Sequence, residues 1–241
     1  MANLPSKENK AQYVQETFDS IAKNYDLMNT LITLGLDKSW RRLVVRRSEL
    51  QVGGTGLDIC CGTGLLTMEL ARAAGAAGRV TGLDFSEKML EVARQNLREF
   101  EFKDSIQLIQ GDAMNLPFES GTFDCATVVW GLRNVPDILQ TVQEMARVIK
   151  PGGKVVSLDM AQPAVPVFRE LYWLFFNKVI PAAGKLFSGN KKAYDYFFNS
   201  AKAFVHQKEL AGIFAQAGLT ETGYTNLCGG VVAIVEGRKP A

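Results

Sequence analysis

Leu57-Asp58-Ile59-Cys60-Cys61-Gly62-Thr63-Gly64 is the stretch whose residue types and spacing best fit chemistry on a bound ligand. A short apolar run enters a glycine turn, and Leu65 to about Ala74 then reads as a helix. Glycine lets backbone approach a ligand closely, and the free N–H groups of a helix N-terminus favour anionic atoms. Thr67 stands where a complete dinucleotide fingerprint has its third glycine, so the glycine pair alone is weak evidence. The next unit strengthens it. Arg79 to Asp84 reads as a second strand ending in a carboxylate, the place from which an acidic side chain holds a ribose diol in nucleotide-binding α/β folds. Asp84 alone would be read as the cap of a helix beginning near Ser86. Paired with the glycine turn it implies an adenosine-containing cofactor, with Phe85 beside it among the binding candidates.

The elements that position these residues alternate. Strands are expected at about 56–60, 80–84, 105–110, 123–130 and 154–159, and helices at about 65–74, 86–100 and 136–149. This spacing predicts a parallel sheet covered on both faces. Lys150-Pro151-Gly152-Gly153 reads as a turn before strand five. A helix from about Gln207 to Ala217 follows, then strands near 220–226 and 230–236 joined by Cys228-Gly229-Gly230 as an antiparallel hairpin. A parallel sheet finished by such a hairpin is the layout of class I S-adenosylmethionine (SAM) methyltransferases, and it departs from the mirrored halves of a dinucleotide dehydrogenase. Upstream, Val14, Phe18, Ile21 and Tyr25 fall at helical spacing, with Tyr25-Asp26-Leu27-Met28-Asn29 closing that helix. A second helix from about Lys38 to Leu50 carries Lys38, Arg41, Arg42, Arg46 and Arg47, most simply a solvated face, with contact to anionic lipid headgroups as the minority reading. Between strand five and the last helix, Phe168 to Phe187 is dense in apolar residues.

At 241 residues and 47 % hydrophobic, the chain can bury one substantial core. It reads as a single domain, 1–241, with an N-terminal helical segment (1–50), a cofactor-binding half (51–160), an inserted apolar cap (161–205) and a last helix with the hairpin (206–241). The formal charge of +2 supplies no field toward nucleic acid. The chain also lacks the Asn/Asp-Pro-Pro-aromatic run that holds a flipped base after strand four. Cys60, Cys61, Cys125 and Cys228 have no metal-ligand spacing and no secreted-framework pattern; three of them fall in predicted strands, which implies small hydrophobes in a reducing cytoplasm. Residues 1–10 are polar, unlike a signal peptide, and no window has the length of a bilayer span.

Several segments resemble the menaquinone/ubiquinone biosynthesis C-methyltransferase family over about Phe18 to the C-terminus. They are Phe18-Asp19-Ser20-Ile21-Ala22, Tyr25-Asp26-Leu27-Met28-Asn29, Trp40-Arg41, Gly111 to Phe118, Gly131-Leu132-Arg133-Asn134-Val135, Tyr194, Tyr196, Ser200 and Asn226 to Ile234. The resemblance implies SAM as cofactor and Thr63, Asp84, Asp112 and Ala113 as its contacts, with Asp58 orienting the glycine turn (Gly62, Thr63, Gly64) and the methionine ammonium group. Asp112 and Ala113 follow strand three, where a carboxylate and a backbone N–H suit the adenine edge. The chain departs from the family's pattern at Asp37-Lys38, commonly His-Arg; at Val129-Trp130, usually Ser-Phe; at Phe204-Val205, commonly Phe-Pro; and at Asp112, mostly Asn.

The implied reaction is methylation of a reduced polyprenyl quinone ring, demethylmenaquinol to menaquinol, with a ubiquinone-pathway benzoquinol or another small aromatic or lipid acceptor as the alternative. A dehydrogenase using NAD is opposed by Thr67 and the hairpin, and a non-catalytic binding protein by the intact Arg133. A carbon nucleophile on such a ring needs its hydroxyl ionised, hence a base or a cation in a dry site. Arg133 is the first candidate for the cation, with a structural arginine nearly as reasonable. Tyr25 and Asp26 come next, Asp26 as base or helix cap, and Asp159 at the end of strand five is a further candidate base. His206, at the start of the last helix, reads as a solvent-facing terminal residue. The apolar run with Phe168, Leu171, Tyr172, Phe175, Phe176 and Val179 is expected to cap the crevice, as an isoprenoid channel touching the inner membrane surface, a lid or a homodimer interface.

Overall fold

The computed structural model describes residues 5–6, 9–163, 170 and 191–241. The apolar cap expected over 168–187 lies, Glu170 apart, outside the described residues. Seven strands form one sheet among them: β1 (Thr55–Ile59), β2 (Arg79–Asp84), β3 (Ile106–Gln110), β4 (Phe123–Val129), β5 (Ile149–Met160), β6 (Thr220–Leu227) and β7 (Val232–Arg238). Their order is β3-β2-β1-β4-β5-β7-β6. The first five strands run parallel, and β7 is antiparallel to both β5 and β6. The connection reverses between β1 and β4, which opens a crevice at the C-terminal ends of those two strands.

Helices α1 (Lys10–Ile21), α2 (Tyr25–Ile32) and α3 (Asp37–Ser48) precede the sheet. Helices α4 (Leu65–Ala74), α5 (Glu87–Leu97) and α6 (Ile138–Val148) link its parallel strands, and α7 (Lys191–Ala203) and α8 (Gln207–Gln216) lead into the antiparallel pair. Alternation along β1 sends Leu57 and Ile59 into one core with Val142, Met145, Leu210 and Phe214. The opposite face packs Leu66 and Leu70 of α4 with Trp40 and Val44 of α3. Asp58 belongs to this second face and is buried there under α4.

Three expectations are corrected. The N-terminal amphipathic stripe is broken: Ala22–Asn24 forms a turn of 3-10 helix, and Tyr25 opens α2 instead of closing α1. Tertiary contact decides the break, because Asp26 is hydrogen bonded to Thr63 and Asn96 on the sheet body. Lys150-Pro151-Gly152-Gly153 does not precede β5 but bulges within it, since Ile149 pairs with Phe123 and Lys154 with Cys125. Gly152 takes φ +77°, and a Cβ on Gly153 would stand 2.6 Å from the Asp124 carbonyl, so the bulge needs both glycines. Cys60 and Cys61 lie in the turn after β1, Cys60 at φ +53°, and Cys228 is exposed; only Cys125 sits in a strand. Burial pushes the thiols of Cys60, Cys61 and Cys125 upward, as fits inert packing groups.

Gly131 presses the turn after β4 onto the turn after β1: a Cβ there would meet Val128 Cγ2 at 2.6 Å and Cys60 Cβ at 2.7 Å. Gly131→Ala is therefore expected to cost about 1–3 kcal/mol in urea unfolding. Gly223→Ala, with nothing within 4 Å of the added carbon, should change stability by less than about 0.5 kcal/mol.

Candidate functional site

The glycine turn is held by carboxylates from two sides. Gly62 and Gly64 take φ +55° and +80°. Asp84, at the end of β2, accepts the Gly62 N–H at 2.8 Å and the Ser86 N–H at 2.9 Å. The cap of α5 is Ser86, whose hydroxyl accepts the Met89 N–H at 3.1 Å, so Asp84 is not that cap. Burial raises the Asp84 carboxyl, opposed by these backbone donors. From the other side, the Thr63 hydroxyl donates to Asp26 at 2.5 Å, and Asn96 donates to both Asp26 (3.2 Å) and the Thr63 carbonyl (3.0 Å). Thus α2 is tied to the glycine turn and to α5 by one carboxylate.

A mostly apolar cavity runs along these strand ends. Its lining includes Gly62, Asp84, Phe85, Asp112 and Ala113, five of the eight predicted cofactor positions; Asp58, Thr63 and Gly64 are not in it, and Val14 and Phe18 of α1 cover it. Asp112 also accepts the Met114 N–H at 2.8 Å, which shapes the turn after β3. At Gly62 a Cβ would lie 3.5 Å from Met89 Cε and 4.0 Å from a Tyr25 ring carbon, in space bounded by cavity-lining side chains.

Asp58 works differently from the expectation that it orients the glycine turn. It accepts from Thr67 of α4 at 2.7 Å and from Thr127 of β4 at 3.3 Å. The register places Thr127 directly beside it. Thr67 thereby explains the missing third glycine, because a glycine would remove the shorter of the two donors to a buried carboxylate. Burial still raises the Asp58 carboxyl to about 7, against the pull of both hydroxyls. Asp58, Asp26 and Arg41 line a small pocket behind the turn, and Arg41 is paired with Asp37 at 2.8 Å.

A second, apolar cavity lies on the far side of Tyr25 and Phe18, which wall both spaces. The rings of this partition meet edge to face at 5.8 Å. Among the described residues Arg133 is the one charged side chain in its lining. The guanidinium is buried, donates to Asp159 at 2.5 Å and to the Trp130 carbonyl at 3.1 Å, and stands 5.0 Å above the Phe197 ring. Its Nε has no partner among the described residues. Beside it, Asn134 donates to the Trp130 carbonyl at 2.8 Å and accepts from the Tyr196 hydroxyl at 3.0 Å. Burial raises the phenols of Tyr25 and Tyr196, and the Arg133 charge pulls both down.

The candidate bases are corrected by this geometry. Asp159 accepts from the Arg133 guanidinium and from the Arg133 and Met160 N–H groups and lines neither cavity, so it holds the cation and does not face the space a ring would occupy. Asp26 is neither a helix cap nor in the second cavity; it is bound to Thr63 and Asn96 beside the glycine turn. Arg133 and Tyr25 do come together around the second cavity. His206 is exposed and caps α8 by accepting the Lys208 N–H at 3.1 Å. Asn134, Asn96 and Arg41 carried no role in the sequence reading. Asn134 could have been marked by its place next to Arg133, whereas its partner Tyr196 lies 62 residues away and nothing local joins them.

A parallel sheet with an antiparallel last pair, and a carboxylate-anchored glycine turn at the β1–β4 switch, defines the class: a SAM-methyltransferase fold. Solved structures share it at low identity. A SAM-dependent methyltransferase from Aquifex aeolicus is 18 % identical with a TM-score of 0.61, covering 82 % of this chain and 88 % of its own. The [4+2]-cyclase SpnF is 17 % identical with a TM-score of 0.71 over the whole of both chains. The chain belongs to the ubiE/COQ5 methyltransferase family, whose model matches residues 6–239. It is similar to the demethylmenaquinone methyltransferase of Desulfitobacterium hafniense (strain Y51), 59 % identical over 98 % of this chain and 93 % of that one. The protein of that name from Bacillus subtilis (strain 168) is 45 % identical over 94 % and 97 %. The protein is a methyltransferase with SAM as methyl donor, and the cavity beside Asp84 has the carboxylate and the glycine clearance that this donor needs.

Asp58 gives a pH signature. Its carboxyl is raised in the folded state to about 7 from 3.8, so the folded form binds the proton more tightly than the unfolded chain. Stability from this group is full below pH 3.8 and is lost as pH rises toward 7. Asp58→Asn should remove that loss, on the order of 3 kcal/mol. Urea midpoints of the ligand-free proteins at pH 5 and pH 7.5 check it: equal pH slopes in both proteins would contradict the raised carboxyl.

Proposed function

We propose that the protein transfers a methyl group from SAM to a ring carbon of a reduced polyprenyl quinone, demethylmenaquinol, as the methylation step of menaquinone biosynthesis. The observation that carries this reading is the second cavity, apolar, adjoining the cofactor cavity across Tyr25 and Phe18, and lined by the buried cation Arg133. An apolar acceptor that must become an oxyanion fits such a space, and the names of the similar chains agree with a demethylmenaquinol ring.

SAM, when bound, supplies an electrophilic methyl carbon on a sulfonium. Asp84 would hold its ribose diol, Phe85, Asp112 and Ala113 its adenine side, and Asp58 with the Gly62-Thr63-Gly64 turn its amino-acid end. On the acceptor side, Arg133 is fixed by Asp159 and the Trp130 carbonyl, so its charge needs no reorganisation when a quinol hydroxyl ionises. The resulting oxyanion raises electron density on the adjacent ring carbon, the nucleophile. The C–CH3 bond would form as the S–CH3 bond breaks to leave a neutral thioether, and the ring proton would then pass to solvent, which restores aromaticity. Tyr25 and Phe18, between the cavities, orient the two reactants and keep water out. The enzyme would work in the cytoplasm at the inner membrane face, where its tailed substrate resides.

Two results test this. Asp84→Ala removes two charge-assisted acceptors, so SAM affinity by calorimetry should fall roughly 10²-fold. Asp84→Asn, which keeps one acceptor oxygen and so one of the two backbone N–H bonds at the turn, should fall less. Unchanged affinity in both folded variants would remove Asp84 from the cofactor site. Arg133→Lys keeps the charge and loses the planar fork. Turnover with labelled SAM should drop about 10²-fold with SAM affinity nearly unchanged. The wild type should methylate demethylmenaquinol faster than a benzoquinol; the reverse order would move the acceptor to the ubiquinone pathway.

A further inference from the structure

Helix α2 has two apolar faces. Tyr25, Met28, Asn29 and Ile32 line the acceptor cavity on its inner side. On its outer side Leu27 and Leu31 are 58 % and 43 % exposed, and the turn into α3 adds Leu34 and Leu36 at 88 % and 44 %. Leu34 is held at φ +52° and Gly35 at φ +78°, with the Gly35 N–H bonded to the Thr30 carbonyl at 2.8 Å, so the leucine tip is a built turn. Four neighbouring leucines in water form a patch of the kind that marks an interaction surface.

The charge beside this patch indicates the partner. A broad cleft next to it is lined by Lys38, Arg41, Arg42 and Arg72 against Asp26 and Glu69. Arg72 is paired with Glu69, Arg41 with Asp37, and Asp26 is engaged by Thr63 and Asn96. Among the described residues no ion pair engages Lys38 or Arg42, and both are exposed. Leucines at a tip flanked by unpaired cations match a bilayer interface, with acyl chains below and anionic headgroups above. No helix of the described residues is long and apolar enough to cross a membrane.

We infer that the α2–α3 elbow docks the enzyme on an anionic lipid bilayer through Leu27, Leu31, Leu34 and Leu36, with Lys38 and Arg42 on the headgroups. This rests on the reading that the acceptor carries a polyprenyl tail, and it deepens it: the helix whose outer face would touch the lipid forms, with its inner face, a wall of the acceptor cavity. An amphiphilic acceptor would then enter along α2 without its tail crossing water.

The test is sedimentation with vesicles of phosphatidylcholine alone and of phosphatidylcholine mixed with phosphatidylglycerol. The wild type should bind the mixed vesicles more strongly. Lys38→Gln/Arg42→Gln should lower that affinity roughly 25-fold, about fivefold per charge, with binding to neutral vesicles unchanged. Leu34→Ser/Leu36→Ser should lose about tenfold on both. Both variants should keep wild-type turnover on a tail-less quinol. Equal vesicle binding by all three proteins would overturn the docking surface. So would light scattering that shows a wild-type dimer dissociated by Leu34→Ser/Leu36→Ser with vesicle binding unaltered, since the leucines would then face a second copy. Vesicle binding as expected with no quinol turnover in the wild type would instead refute the acceptor reading and leave the docking surface standing.

Discussion

The structure depends on one constraint: a glycine turn must sit, with its backbone exposed to a ligand, at the switch point of a parallel sheet. The chain takes positive φ at Cys60, Gly62 and Gly64, and the turn's own backbone bond runs from the Gly64 N–H to the Cys61 carbonyl at 2.9 Å. Three carboxylates, Asp58 fully buried and Asp84 and Asp26 half-buried, add to its support. Asp84 accepts the Gly62 N–H from β2, Asp26 accepts the Thr63 hydroxyl from α2, and Asp58 lies beneath, joined to Thr67 and Thr127. Three acids around one turn is an expensive arrangement unless each has donors, because burial disfavours the charged form. Each has them, and burial still raises the carboxyls of Asp58 and Asp84 against the pull of their donors.

The acceptor side solves the opposite problem. A guanidinium in an apolar wall would be costly alone, and Asp159 supplies the countercharge through a short contact and a backbone bond. Phe197 and Trp130 add ring faces at 5.0 and 5.7 Å. The pair is therefore preorganised on one edge, with an Nε that has no partner among the described residues. Asp159 positions this cation, which is a more economical use of a buried strand-end carboxylate than service as a free base.

The N-terminal helices close the site with polar contacts laid over apolar ones. Lys10 donates to the Val135 carbonyl at 2.8 Å, Ser86 donates to Asp19 at 2.5 Å, and Asp26 holds Thr63. Beneath them Val14 and Phe18 cover the cofactor cavity. These bonds are partly solvated, and α1 has no fully buried residue, so this cover belongs to the low-stability end of the molecule while the sheet core does not. Such a division suits a reaction in which two reactants must enter and a dry interior must form between them.

Much of this was legible in the residues alone, for reasons of periodicity. The alternation of strands and helices, the glycine turn, the strand-end Asp84 and the terminal antiparallel strands each leave a local pattern, because backbone geometry acts within a few residues. The resemblance carried by the Tyr25 and Arg133 segments named the family before any contact was seen. Only the tertiary structure decided the partnerships. Arg133 and Asp159 are 26 residues apart, Asp26 and Thr63 are 37 apart, and Tyr196 and Asn134 are 62 apart. Each pairing turned a candidate base or an unassigned polar residue into a positioning group. The break of the first helix at Ala22 to Asn24 and the bulge at Gly152 and Gly153 were likewise hidden, since docking on the sheet body and strand register determine them. Local sequence specifies which conformations are cheap; which charge meets which partner is set by the fold that brings distant strands to one crevice.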